Sequence, residues 1–359
     1  MSSGTQDPIR ITLFASTQGA YGGVEAHVLS LAKQLHGEPE YAIKVVFKCV
    51  KGHTIQKQLV DQCKRTEVPH TFIQRSSIDV LKILFKTDIV HVNNVPPDIV
   101  IPAKILKKPV IATIHHQGKT NNKLRHLLWK FSASLANIRC YDTNFVRKIW
   151  EETLTKSNSY TRPACSELPE SEIHFEKRSG FFFVGRWIEN KGIDTLIQAY
   201  DQAGLNPKIW PLYLAGDGPL RPWAETFIQE HQIKGVHILG FITEEQKWER
   251  IRNAKWMVTP PDTLEDQGLT PIEARSQAVP SIITRDGGLP EAAGTSALMC
   301  EPNDIDALAE TLKTASTMTE EEYKARALKG YESLKDYLTP LDFYKKLYST
   351  VLHKGSTIP

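Results

Sequence analysis

The stretch TPPDTLEDQGLTPIEARSQAVPSIITRDGGLPEAAG (259–294) decides the reading of this chain. It follows the apolar run KWMVTP (255–260) and passes through a Pro-rich acidic loop. A helical segment, Thr270–Gln277, leads into a second apolar run, PSIITRD (280–286), and a Gly-rich loop, DGGLPE (286–291). Strand, loop, helix, strand is the unit of a parallel sheet. The same alternation extends outward. FFFVGR (181–186), IWPLYLAG (209–216) and VHILG (236–240) read as strands, and Lys191–Gln202, Leu220–Gln232 and Glu244–Arg252 as helices. An earlier series holds IRITLFAS (9–16), YAIKVVF (41–47), HTFI (70–73), DIVHVNN (88–94), PVIATIHH (109–116) and IRCYDT (138–143), with a helix over Val24–Leu35. Several runs are continuously apolar, as strands covered on both faces are. The polar segment 166–180 separates the series. The expectation is an α/β chain of two doubly wound domains, 1–170 and 171–337, facing a cleft, with ligands at the carboxyl ends of strands.

The 359 residues suit two domains. Apolar content is 41% and charged content 24%, ordinary for a globular chain. No run long enough to span a membrane is present, and the first residues lack a basic stretch and apolar core, so no secretory signal is expected. The five cysteines (49, 63, 140, 165, 300) form no CxxC pair, so a reducing cytoplasm fits better than disulfides or zinc. The net charge of +3 hides an asymmetry: residues 1–170 hold 23 Lys and Arg against 14 Asp and Glu, a balance of +9, and the rest is −6.

Glycine and charge gather in the loops after strands. In STQGAYGGVEAHV (16–28), Gly19, Gly22 and Gly23 open a helix whose N-terminus suits an anion or simply turns the chain. The spacing is not GxGxxG, which argues against a dinucleotide-binding dehydrogenase. TIHHQGK (113–119) ends a strand; if the strand persists, His115 and His116 point to opposite faces. Arg186 ends a strand and Lys191 starts a helix, two cations suited to a diphosphate or to a solvated surface. AGDGPL (215–220) repeats the strand-to-helix glycine turn. Glu265 and Glu273 are separated by seven residues. Thr270 to Glu273 also fits a capping box with Pro271 at the first helical position, whereas no such account covers Glu265.

Together these segments resemble the retaining GT-B glycosyltransferases of the family 4 type (glycosyl transferases group 1). The resemblance rests on GGVE (22–25), Thr113–His115, VGRWIENKG (184–192), AGDGP (215–219), the Glu265-to-Glu273 spacing and GGLPE (287–291), in order along the whole chain. It implies two Rossmann-like domains: the first, 1–170, binds the acceptor, and the second, 171–337, binds a nucleotide sugar. The last helix, in 338–359, crosses back to the first. It further implies that Arg186 and Lys191 grip the donor diphosphate and that Glu265 contacts sugar hydroxyls. Gly216, Gly268 and Leu269 meet the donor, Glu273 the ribose, and Gly22 and Gly23 allow close approach to the diphosphate. His115 sits near sugar and acceptor. Gln267 stands where an aromatic residue is usual and Ala278 where glycine is usual, which weakens any guess at the donor sugar.

The expected reaction is transfer of a hexose from a UDP- or GDP-sugar to a glycan or lipid-linked glycan, as in cell-surface polysaccharide or lipopolysaccharide synthesis. No metal or other cofactor is expected: Asp304-Ile305-Asp306 forms a DxD but reads as an acidic helix start. A GT-B-like epimerase or phosphorylase and a silent nucleotide-sugar binder are the alternatives, and nucleic acid has no motif support. In KTNNKLRHLLWKFSASL (119–135), Leu124, Leu128, Phe131 and Leu135 read as a core-facing stripe, while Arg125 and Trp129 share a cationic flank suited to anionic lipid or solvent. That flank suggests a peripheral position on the inner face of a membrane.

Overall fold

A computed structural model describes residues 7–74, 78–152, 154, 158–164 and 167–352. The sequence readings that touch residues 1–6, Cys165, Ser166 and 353–359 lie outside them. The chain divides into two compact units, Met1–Glu167 with Leu338–Pro359, and Leu168–Tyr337.

The first unit is built on β1 (Ile9–Thr17), α1 (Gly23–His36), β2 (Tyr41–Cys49), α2 (Lys57–Arg65), β3 (His70–Gln74), α3 (Asp79–Phe85), β4 (Ile89–Asn93), α4 (Pro97–Ile105), β5 (Val110–Ile114), α5 (Lys123–Leu135), β6 (Ile138–Tyr141), α6 (Asn144–Glu151) and β7 (Ser159–Thr161). All seven strands pair in parallel in the order β3-β2-β1-β4-β5-β6-β7. The alternation within each strand feeds two cores. Ile11, Leu13, Ile43, Val45, Ile89 and Ile111 pack with α1, while Phe14, Val46, Val90, Val92 and Val110 pack with α3, α4 and α5. Each such side chain contributes roughly 1.5–3 kcal/mol on burial.

The second unit holds β8 (Ser179–Val184), α7 (Ile193–Ala203), β9 (Leu212–Ala215), α8 (Arg221–Glu230), β10 (Val236–Gly240), α9 (Glu244–Asn253), β11 (Ala254–Thr259), α10 (Leu269–Ser276), β12 (Ser281–Thr284), α11 (Leu289–Ala293), β13 (Leu298–Cys300), α12 (Ile305–Thr317) and α13 (Glu320–Tyr337). Its parallel order is β10-β9-β8-β11-β12-β13. The chain then returns. In α14 (Leu341–Leu352), Phe343, Tyr344, Leu347 and Tyr348 are buried in the core of the first unit. The Tyr348 hydroxyl meets His91 Nδ1 at 2.8 Å.

Both sheets reverse strand order beside their first strand, at β1/β4 and β8/β11, where ligands of such folds bind beyond the carboxyl ends.

Three expectations are corrected. Strand β5 ends at Ile114, so strand alternation does not govern His115 and His116. Lys191 does not start the α-helix: it ends a 3-10 turn, Glu189–Lys191, and α7 starts after Gly192. The stripe on α5 does not face the core. Leu124, Leu127, Leu128 and Phe131 are exposed, Leu135 is only partly buried, and Ser132 and Ala133 are the buried positions. Periodicity defines a face but not its direction, and small residues let a helix approach the sheet more closely than leucines do.

Candidate functional site

In the second unit, four loops after strands meet backbone to backbone. Gly192 has φ +65°, and a Cβ there would lie 1.7 Å from the Pro260 carbonyl oxygen. Gly287, at φ +51°, would place a Cβ 2.0 Å from the Glu265 carbonyl. Only glycine allows both the left-handed backbone and the contact. The loop after β8 is thereby pressed onto the loop after β11, which is held in turn by the loop after β12. The Glu265 amide donates to Asp286 Oδ2 at 2.6 Å, and its carbonyl accepts from the Gly288 amide at 2.8 Å.

This scaffold brings Lys191 and Glu265 together, with Nζ to Oε2 at 2.5 Å and both side chains partly exposed. Arg186 is exposed at the end of β8. Gly216, after β9, packs against the Gly185 carbonyl beside it. Gly268 caps α10 at φ +86°, and Leu269 begins the helix four residues after Glu265, presenting N-terminal amides that lack intrahelical partners. Arg186, Lys191, Gly216, Glu265, Gly268 and Leu269 therefore share the carboxyl end of this sheet at its switch point.

Glu273 is placed differently. It is buried in α10, and its carboxylate pairs with Lys247 of α9 at 2.8 Å. Burial raises its pKa, with Lys247 opposing. The capping-box reading is corrected: the helix begins at Leu269 and is capped by Gly268, while the Thr270 hydroxyl meets that of Thr259 at 3.0 Å. Asp304 does cap a helix, accepting from the Ala307 amide at 2.8 Å.

In the first unit, Gly22 and Gly23 are exposed at the start of α1. His115 lies just past β5 and is held on both sides. Nδ1 meets Asp142 Oδ2 at 2.8 Å, Nε2 meets Asn93 Oδ1 at 2.9 Å, and its amide donates to Asn94 Oδ1 at 3.0 Å. Asn93 Nδ2 donates to the Phe14 carbonyl, which assigns its oxygen to the histidine. Both ring nitrogens thus have side-chain partners, which fix the orientation of the ring. The His27 ring packs edge-on against it at 5.4 Å. His116 packs between Trp129 and Trp150, and burial lowers its pKa to about 4.

Sequence reasoning missed Asn93, Asp142, Lys247, Asp262 and Asp286. The first two lie at or just past the ends of buried strands, as Arg186 does, and that position was the available signal. Asp262 beside Asp194 and Asp286 was not legible; burial and these neighbours raise its pKa to about 6.

The family model described as Glycosyl transferases group 1 matches residues 166–331. An uncharacterized glycosyltransferase of Methanocaldococcus jannaschii is 30% identical over 132 residues, 36% of this chain and 36% of that protein. The O-antigen chain mannosyltransferase B of Escherichia coli is 29% identical over 200 residues, 54% of this chain and 51% of that protein. The matched regions span about a third to a half of these relatives. Among solved structures, a glycosyltransferase from Rickettsia africae has a TM-score of 0.78 at 15% identity, covering 98% of this chain and all of that one. Anabaena HepE in complex with UDP and glucose also has 0.78, at 13% identity, with 96% and 99% covered. The fold is GT-B: two Rossmann-like units in one chain.

Proposed function

We propose that this chain is a retaining glycosyltransferase that moves a hexose from a UDP- or GDP-sugar to a hydroxyl of a glycan or lipid-linked glycan. The observation that carries the reading is the Lys191–Glu265 pair at the switch point of the second unit, beside Arg186 and the start of α10. The mannosyltransferase relative and the HepE complex with UDP and glucose support the substrate class.

In the proposed reaction, the bond between the sugar anomeric carbon and the diphosphate oxygen breaks. The acceptor oxygen bonds to that carbon on the same face, and its proton passes to the departing diphosphate. Arg186 and Lys191 stabilise the developing negative charge, and the amides of Leu269 and Thr270 face the phosphates. Glu265 orients the Lys191 ammonium and accepts from sugar hydroxyls, and Glu273 meets the ribose. The cations take the role a metal would otherwise fill. In the first unit, which binds the acceptor, His115 is held in place by Asp142 and Asn93.

A thermal-shift panel of UDP-, GDP- and ADP-sugars tests the reading. A donor at a hundred times its Kd stabilises by about 2.7 kcal/mol. One nucleotide class is expected to raise Tm, and NMR of the product is expected to show the donor's anomeric configuration. Stabilisation by none of the three would overturn the proposal.

A further inference from the structure

Eight of the fourteen exposed large apolar side chains among the described residues lie on three helices of the first unit. They are Ile78, Leu81 and Phe85 at α3, Ile105 on α4, and Leu124, Leu127, Leu128 and Phe131 on α5. The three helices cross between successive strands, β3 to β4, β4 to β5 and β5 to β6, and cover the same face of the sheet. Neighbouring helices are in contact, α3 with α4 and α4 with α5. On α5 the exposed positions fall at i, i+3, i+4 and i+7, a continuous apolar stripe turned to solvent, with Leu124 and Leu127 each 65% exposed. An isolated exposed leucine is ordinary, but apolar side chains on three adjacent helices mark a docking surface.

Charge identifies the occupant. Segments 78–86, 97–108 and 119–135 contain nine Lys and Arg and only two acidic residues, Asp79 and Asp98. Both aspartates are already paired, with Lys82 and Lys48. An open groove of about 500 Å³ beneath α3 adds Lys44 to Lys82 and Lys86. A second copy of the chain is disfavoured, because a two-fold contact would set this cationic face against itself. A surface that is anionic outside and apolar a few ångströms in satisfies both components.

We propose that the solvent face of α3, α4 and α5 docks on an anionic lipid bilayer, with the apolar side chains entering the headgroup boundary and the lysines meeting lipid phosphates. This is independent of the glycosyltransferase reading, since none of these side chains belongs to the candidate site.

Co-sedimentation of the full chain with vesicles tests it. Binding is expected to vesicles of equal parts phosphatidylglycerol and phosphatidylcholine, and to fall with salt. Each cation near such a surface contributes about fivefold to partitioning. Neutralising Lys82, Lys86 and Lys123 to glutamine is therefore expected to weaken binding about 100-fold, and Leu127→Glu with Phe131→Glu to abolish it. These positions are exposed, so circular dichroism and Tm are expected to match the parent, and hydrolysis of a soluble nucleotide sugar to stay unchanged. Lack of binding to anionic vesicles, or equal binding by the folded variants, would overturn the proposal. So would a parent dimer by light scattering that the apolar substitutions dissolve, with no vesicle binding. Loss of donor hydrolysis in the parent chain would count against the glycosyltransferase reading and leave the docking result standing.

Discussion

The Lys191 ammonium lies 2.5 Å from the Glu265 carboxylate across 74 residues of chain, and two glycines make that distance possible. Gly192 lets the loop after β8 touch Pro260, and Gly287 lets the loop after β12 brace Glu265 from behind. A cation so placed is oriented before any donor arrives. Lys191→Ala is expected to lower turnover about 10²–10³-fold, the loss of roughly 2.7–4 kcal/mol of transition-state stabilisation. Tm is expected to change little, because water reaches the Glu265 left behind. Steady-state transfer and thermal melting check both halves, and unchanged turnover would remove Lys191 from the mechanism.

Tyr348 ties the last helix to the first sheet. Its hydroxyl meets His91 Nδ1 while Thr113 meets Nε2, each at 2.8 Å, and both Tyr348 and His91 are fully buried. Tyr348→Phe keeps the ring and orphans the His91 nitrogen. The expected cost is about 1–3 kcal/mol of unfolding free energy, measured by urea denaturation. A loss below a few tenths of a kcal/mol would mean that the bond contributes nothing.

Acid is expected to destabilise the first unit earlier than carboxylate titration does. Burial lowers the pKa of His91 to about 3 and of His116 to about 4, from an ordinary 6.5. The unfolded chain therefore binds protons below pH 6.5 that the folded unit refuses. Stability is full above pH 6.5 and falls as pH drops towards 4, by up to about 1.4 kcal/mol per pH unit for each histidine. Urea midpoints at pH 7 and 5 are expected to differ, and His116→Gln to reduce that difference.

Asp262 works in the opposite sense. Burial, with Asp194 and Asp286 nearby, raises its pKa from 3.8 to about 6. Here the folded chain holds the proton longer, so this contribution is present below pH 3.8 and lost as pH rises through 6. Asp262→Asn is expected to stabilise the second unit at pH 8 by about 1 kcal/mol, after allowance for solvent screening. The Thr195 hydroxyl, 3.2 Å from Oδ1, keeps an acceptor in the variant. An unchanged or lowered Tm at pH 8 would contradict the assignment.

Much of this molecule was legible in one dimension. Alternating apolar runs such as IRITLFAS and FFFVGR could satisfy their hydrophobicity only as strands buried on both faces, and glycines after strands marked the loops that carry Arg186, Lys191 and Glu265. Those signals are local, so they survive without coordinates. Partners were not legible. Nothing in the spacing of Glu273 announces Lys247, and nothing near His115 announces Asp142 and Asn93, because these contacts join different strands and helices.

The sequence by itself determined the α/β class, the two series of strands, and the loops that bear the charged and glycine residues. Tertiary structure alone decided which way the α5 stripe faces. The 3.6-residue period places Leu124, Leu128 and Phe131 together but is blind to rotation about the helix axis. Sheet packing resolved the rotation, because Ser132 and Ala133 fit against the strands where bulkier side chains do not. The apolar edge was left outward among lysines, where the basic charge of the first half meets its surroundings.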